Sequence, residues 1–209
     1  MEKILVTQGL NELKVIDNRI AKAIAEAEFI VPSKNSETNA RVGITKEDFS
    51  KNAISMFDKI NALIKRREDI KAAIIKSNAE TEVEIGGEKM TVAKAIDTKE
   101  SIEYKKNLLY KMQSQYNNSF AEANTKNAKV EEKINNMLLA AVGKDSKDKI
   151  DPNMYDAIAK PIKEKEEVGL VDPLDIKKKI DELEKYIEDF ESEVDSKLQV
   201  SNCITYIEI

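Results

Sequence analysis

The sequence predicts a mainly α protein, an elongated antiparallel helical bundle or coiled coil with a small β-hairpin plus a C-terminal strand at one end. Three observations predict this. Apolar residues recur at alternating three- and four-residue intervals over long stretches, which draws one stripe down a helix. Charged residues make up 35% of the 209 and aromatics only 5%, a composition in which small and branched side chains fill narrow seams. One segment, Glu82 to Val92, abandons that period and alternates apolar and polar residues about Gly86-Gly87.

A first helix is predicted from Ile4 to Glu28, with Val6, Leu10, Leu13, Ile16, Ile20 and Ala27 on one stripe. The pattern then breaks into Phe29-Ile30-Val31, Pro32, a polar run to Asn39, and Ala40-Arg41-Val42-Gly43-Ile44. Two short apolar flanks around a polar tip predict a β-like loop. Thr45 followed by Asp48 supplies an N-cap and an acidic first turn for a second helix, whose stripe runs Phe49, Ala53, Met56, Ile60, Leu63, Arg67, Ile70 and Ile74. Arg67 is the one charged member of that seam, where a long side chain can lie along the helix and carry its head to solvent.

Gly86 and Gly87 permit the positive φ angles of a two-residue hairpin turn, and Thr91 is placed to cap a third helix. That helix is predicted from Val92 to Val142, roughly 75 Å long at 1.5 Å per residue. The weak helix formers Asn117-Asn118-Ser119 and Asn124 to Asn127 mark the place where it would break. A charged linker from Gly143 leads to Asp151-Pro152, the start signal of a short helix expected to stop near Lys160, before Pro161. Asp172-Pro173 repeats that signal ahead of a last helix carrying Ile176, Ile180, Leu183, Ile187, Phe190, Val194 and Leu198. The organisation predicted is thus residues 1–142 as a long-helix bundle with the hairpin at 81–92, 143–171 as a loop and short-helix insertion, and 172–209 as a helix and terminal strand.

The tail Cys203 to Ile209 is strand-like in composition. Chain direction brings it to the hairpin end, so strand addition is expected there, with Val83, Ile85 and Met90 meeting Ile204 and Tyr206. An isolated two-stranded hairpin is marginal, and a third strand would bury a face. The third helix overshoots its neighbours by roughly 30 Å. The segments Met154–Ile158 and Ile162–Val171 can fold back over Val130 to Leu139, and a second copy of the chain is expected to cover the remainder.

Histidine is absent, which removes the commonest general acid/base and metal ligand together, and Cys203 has no intrachain partner for a disulfide. The 34 basic and 39 acidic residues give a net charge of -5 with the signs interleaved, the pattern of a solvated helical surface rather than a nucleic-acid-binding face. No stretch approaches the roughly 20 apolar residues of a membrane span, and residues 1–6 lack a signal-peptide pattern. No nucleic-acid or membrane partner is therefore expected.

The candidate chemistry is sparse. Glu82, Glu84 and Glu88 surround the hairpin and offer oxygen ligands, but exposed carboxylates are also an ordinary device for keeping strand edges soluble. Gly86-Gly87 lacks the lysine, spacing and parallel-strand context of a phosphate loop and reads as a structural turn. Lys65-Arg66-Arg67 is the candidate anion or partner patch, weighed against a solvated helix surface; Lys177-Lys178-Lys179 is interleaved with acids in the same way. Tyr104, Tyr110 and Tyr116 recur every six residues, which does not hold one helical face. No catalytic residue, metal ligand or cofactor is assigned.

At Asn78-Ala79-Glu80-Thr81, Gly86-Gly87, Thr91 with Ala95, and Leu198 to Thr205, the chain resembles the small helical proteins called septicolysin-like, and helical proteins of phages and prophages of low-GC Gram-positive bacteria. The resemblance covers the hairpin, its flanking helices and the C-terminal end, about half the chain. The loop after the first helix and the segment 143–171 depart from the shorter septicolysin-like pattern, and no membrane-active helix accompanies the cytolytic activity which that name implies. What the resemblance implies is a phage or prophage origin and a helical, oligomeric protein. The expected role is a non-enzymatic structural or assembly protein, made in the host cytoplasm and carried in or on the virion, with itself and other virion proteins as partners. The alternative is a phage-encoded binding protein that inhibits or sequesters a host defence component through Lys65, Arg66 and Arg67 or through the inter-subunit surface.

Overall fold

The computed structural model describes residues 2–142 and 151–209. The protein is a helical bundle with small antiparallel strand pairs. In chain order the elements are β1 (Lys3–Leu5), α1 (Val6–Glu26), β2 (Asn39–Arg41), β3 (Ile44–Thr45), α2 (Lys46–Glu80), β4 (Glu82–Ile85), β5 (Glu88–Thr91), α3 (Val92–Val142), α4 (Pro152–Glu166), α5 (Ile176–Ile204) and β6 (Tyr206–Glu208). The chain groups into two compact units, Met1–Glu100 with Asp189–Ile209, and Ser101–Glu188.

In the first unit α1 and α2 run antiparallel, and their seam is the stripe read from the sequence. Val6, Leu13 and Ile16 meet Ile70 and Ile74, and Ile207 of β6 closes the cluster. Ile70 is fully buried, so cutting it to alanine would cost about 2–5 kcal/mol. Gly9 lets β6 lie close on α1, since a Cβ there would stand 3.1 Å from Ile207 Cδ1. The cap of α2 is as expected. The Thr45 hydroxyl accepts from the Asp48 N–H at 3.1 Å and donates to its carboxylate at 2.7 Å, which satisfies a first-turn donor.

The hairpin has the expected turn. Gly86 and Gly87 sit at φ +58° and +77°, the two positive values that a type I′ turn needs and that other residues adopt at a cost. Val83 pairs with Met90 and Glu84 with Lys89; Ile85 and Met90 are buried. The Thr91 hydroxyl accepts from the Lys94 N–H at 3.2 Å at the head of α3.

The strand expected beside this hairpin is elsewhere. β6 pairs antiparallel with β1, in the register Lys3 with Glu208, Ile4 with Ile207 and Leu5 with Tyr206, and β4–β5 remains two-stranded. The expected meeting of Val83, Ile85 and Met90 with Ile204 and Tyr206 is replaced accordingly. Ile204 ends α5 and is exposed. At the hairpin turn it is α5 that arrives: the Gly86 N–H donates to the Glu193 carboxylate at 3.0 Å, and a Cβ at Gly86 would lie 3.4 Å from Asp189 Cβ. The reason lies at the N-terminus, read from sequence as the start of the first helix. Lys3–Leu5 is extended, and its backbone offers β6 a partner over the Ile70–Ile74 surface. The Val6 N–H, an orphan donor at the start of α1, is taken by the Thr205 carbonyl at 2.9 Å.

Between α1 and α2 the β-like loop is confined to its second half. Asn39 pairs with Thr45 and Arg41 with Ile44 around Gly43, which has φ +79°, while Phe29 to Val31 forms no strand.

In the second unit α3 continues unbroken through Asn117–Asn127. α4 folds back antiparallel on it as expected, with Ile158, Ala159 and Ile162 against Val130, Ile134 and Leu138. The helix does not stop before Pro161 but runs to Glu166. A proline interior to a helix forfeits one N–H bond and crowds the preceding turn. Here Ile162 extends the buried stripe past Pro161, and that packing carries the helix through. Asp151 caps α4, its carboxylate accepting from the Met154 N–H at 2.8 Å. Asp172 does the same from a distance for α5, accepting from the Ile176 N–H at 2.8 Å while Asp175 takes φ +53°, so the helix starts at Ile176. The expected linker from Gly143 lies, as far as Ile150, outside the described residues.

Candidate functional site

The basic triplet sits where α2 faces α1, and most of its charge is engaged within the chain. The Arg66 guanidinium donates to both oxygens of Glu12, at 2.9 and 3.3 Å, and to Glu2 at 2.7 Å. Arg66 therefore joins α2 to α1 and to the residue preceding β1. The hydrogen bond to Glu12 raises its pKa further, so it stays charged at any working pH. Arg67 donates to Asp17 at 2.6 Å. Its head reaches the surface as expected of a seam residue, and meets a carboxylate there. Of the expected anion patch only Lys65 is left exposed without a carboxylate shown beside it. Two adjacent arginines on helical neighbours, each with an acid one helix away, do structural work that sequence alone could not separate from an anion site.

Two lysines of the second triplet are paired along their own helix. Lys177 pairs with Asp181 and Lys179 with Glu182 at 2.6 and 2.8 Å, and these hydrogen bonds raise both lysines. Lys179 in turn holds Glu182 below the ordinary carboxylate range, as Lys126 does Glu122. Such shifts arise from exposed partners rather than from enclosure. They are the signature of surface pairing, not of a tuned acid or base. Glu82, Glu84 and Glu88 do not converge, and among the described residues no group of three or more His, Cys, Asp or Glu could hold a metal ion.

Several open grooves lie among the described residues. One, about 360 Å³, lies between α2 and β6 and is lined by Lys3, Lys76, Ser77, Glu80, Tyr206 and Glu208. Lys3 stands over the Tyr206 ring with its ammonium 5.2 Å from the centroid. Another, about 240 Å³, lies between α3 and the loop before α5, under Leu170, Val171 and Pro173 and beside Tyr116. Neither groove presents an enclosed ionisable group; the one polar residue that is buried among those described is Ser201. Tyr116 stacks on Phe120 at 5.9 Å between centroids, while Tyr104 and Tyr110 stand in solvent, so the three tyrosines share no face.

Two features escaped the sequence reading. The Asn127 side chain clamps the chain after α4, donating to the Val168 carbonyl at 2.9 Å and accepting from its N–H at 2.8 Å. The signal was present as an amide inside a helix, where it contributes little to helix propensity. Phe29 packs edge-on against Phe57 at 6.2 Å, in the midst of exposed apolar side chains. With only 5 phenylalanines in the chain, three left about half exposed, Phe29, Phe57 and Phe120, are a clue in themselves. No protein-family model matches the chain, and no curated protein or solved structure matches it either. Among the described residues no helix is long and apolar enough to cross a membrane.

Proposed function

We propose that the chain is a non-enzymatic structural or assembly protein of a bacteriophage or related element, a helical homo-oligomer made in the host cytoplasm and working in or on the virion. The observation that carries this reading is the apolar surface left on the outside of both units. Phe29 and Phe57 in one, and Leu108, Phe120, Val171 and Leu174 in the other, remain exposed after the chain has folded on itself. Single exposed apolar residues are ordinary, but exposed aromatic and branched side chains in this number, two of the aromatics in mutual contact, suit surfaces that meet other protein. The phage assignment rests on the resemblance at the hairpin and at Leu198–Thr205. The inhibitory alternative would use Lys65, Arg66 and Arg67 or the inter-subunit surface; the engagement of both arginines with Glu2, Glu12 and Asp17 favours the structural reading over the first of these.

Mass spectrometry of purified virions from the element that encodes the chain tests the reading. The polypeptide is expected in stoichiometric amount, or in assembly intermediates. Its absence from both would overturn the proposal.

A further inference from the structure

The end of the α1–α2 pair carries an apolar surface that none of the described residues covers. Phe29 and Phe57 form its centre, 51% and 56% exposed despite their mutual contact. Ile54, one turn before Phe57 on α2, is 62% exposed and Ile24, in the last turns of α1, 53%, while Ile30 beside Phe29 is 89% exposed and Val42 102%. Val42 is the more telling. It occupies the tip of the β2–β3 turn, where a polar residue would serve the backbone equally and avoid exposing an apolar side chain.

These exposures amount to about four whole residues, which at roughly 150–200 Å² for a large side chain is on the order of 600–800 Å². It equals one partner's share of a standard interface, so that two such faces together would bury about 1,200–1,600 Å².

The charges beside the patch identify the occupant. Arg41 is paired with Glu28 at 2.7 Å, Lys34 with Glu37 at 3.4 Å and Lys51 with Glu47 at 2.6 Å. Nucleic acid or an anionic membrane calls for an excess of uncompensated cations, which these pairs do not provide. A second identical face meets no net like charge when it approaches. A two-fold axis asks only that a surface complement itself, and an apolar centre with a balanced rim does so. We propose that this face, centred on Phe29 and Phe57, is the contact for a second copy of the chain in an isologous dimer. The inference rests on the homo-oligomer reading for the kind of partner and adds to it the surface used.

Sedimentation velocity on the full chain from about 1 to about 200 µM, a range that brackets micromolar association, tests it. A monomer–dimer equilibrium is expected. The double variant Ile30→Asp with Val42→Asp should weaken it at least about tenfold while leaving the circular dichroism melt unchanged, since both positions are in solvent. Leu174→Asp, on the other unit, should leave association as it was. A monomer at the highest concentration would overturn the inference, and so would a dimer indifferent to the double variant. A dimer through this face in a chain absent from virions would sink the functional reading and spare this one, whereas a virion-borne oligomer indifferent to the double variant would do the reverse.

Discussion

Asn127 shows how one side chain can order a segment that has little else to hold it. Its amide makes both hydrogen bonds to the Val168 backbone in a partly buried setting, where losing a partner leaves the other group unsatisfied. Asn127→Ala should cost about 1–3 kcal/mol and release the chain beyond α4, read as faster amide exchange at Val168 with α1 and α2 unaffected. Asn127→Asp keeps the acceptor and loses the donor, so its loss should be intermediate; equal exchange in both variants would deny the clamp. Glu182 offers a pH test. Lys179 holds its folded pKa below the ordinary 4.5, so the stabilisation from the pair is present above the ordinary glutamate range and is lost as pH falls through the lowered value. A carboxyl carbon titration by NMR should place Glu182 below 4.5, and Lys179→Gln should return it towards that value. Titration at or above 4.5 in the parent chain would show that the pair does not form in solution. At this scale the sequence was legible where chemistry is local: Thr45, Asp151 and the two hairpin glycines do what their types dictate. Arg66 and Asn127 were not legible, because their partners lie one element away.

At the scale of elements, α4 is the instructive departure. Asp151-Pro152 gave its start correctly, and Pro161 was expected to end it by sterics and a missing donor. The helix continues because Ile158, Ala159 and Ile162 form one apolar face on Val130, Ile134 and Leu138, and stopping at Lys160 would leave Ile162 behind. The proline therefore strains an element that packing retains. Pro161→Ala should restore an N–H donor and remove the clash, with a net gain of about 1–2 kcal/mol after the unfolded chain recovers some freedom. Slower amide exchange through 157–166 is the expected readout; unchanged or faster exchange would show that the proline costs the helix nothing. The continuity of α3 through Asn117–Asn127 has a related cause. Weak propensity over a few residues is a small penalty, and Ala123 within the stretch and Val130 just beyond it are buried.

Considered as a whole molecule, the chain is closed by its two ends. Glu2 and Ile209 exchange backbone hydrogen bonds at 3.0 and 2.9 Å, Ile4 opposes Ile207, and Ile207 seals the seam between α1 and α2. Truncation after Thr205 should uncover Val6, Ile70 and Ile74, cost about 2–4 kcal/mol, and abolish amide protection at Ile4 while leaving Met90 protected. Loss of protection at the hairpin instead would restore the pairing first expected from chain direction. Sequence by itself determined the helical class, the start of α2, the caps at Thr45, Thr91 and Asp151, and the Gly86-Gly87 turn, because each depends on residues within one turn or one period. Tertiary structure decided which strand β6 joins, that α4 passes Pro161, that Arg66 and Arg67 are joints rather than a binding patch, and that Phe29, Phe57 and Val42 are left in water. Those outcomes depend on which surfaces meet, and a stripe records that a face is apolar without recording what will cover it.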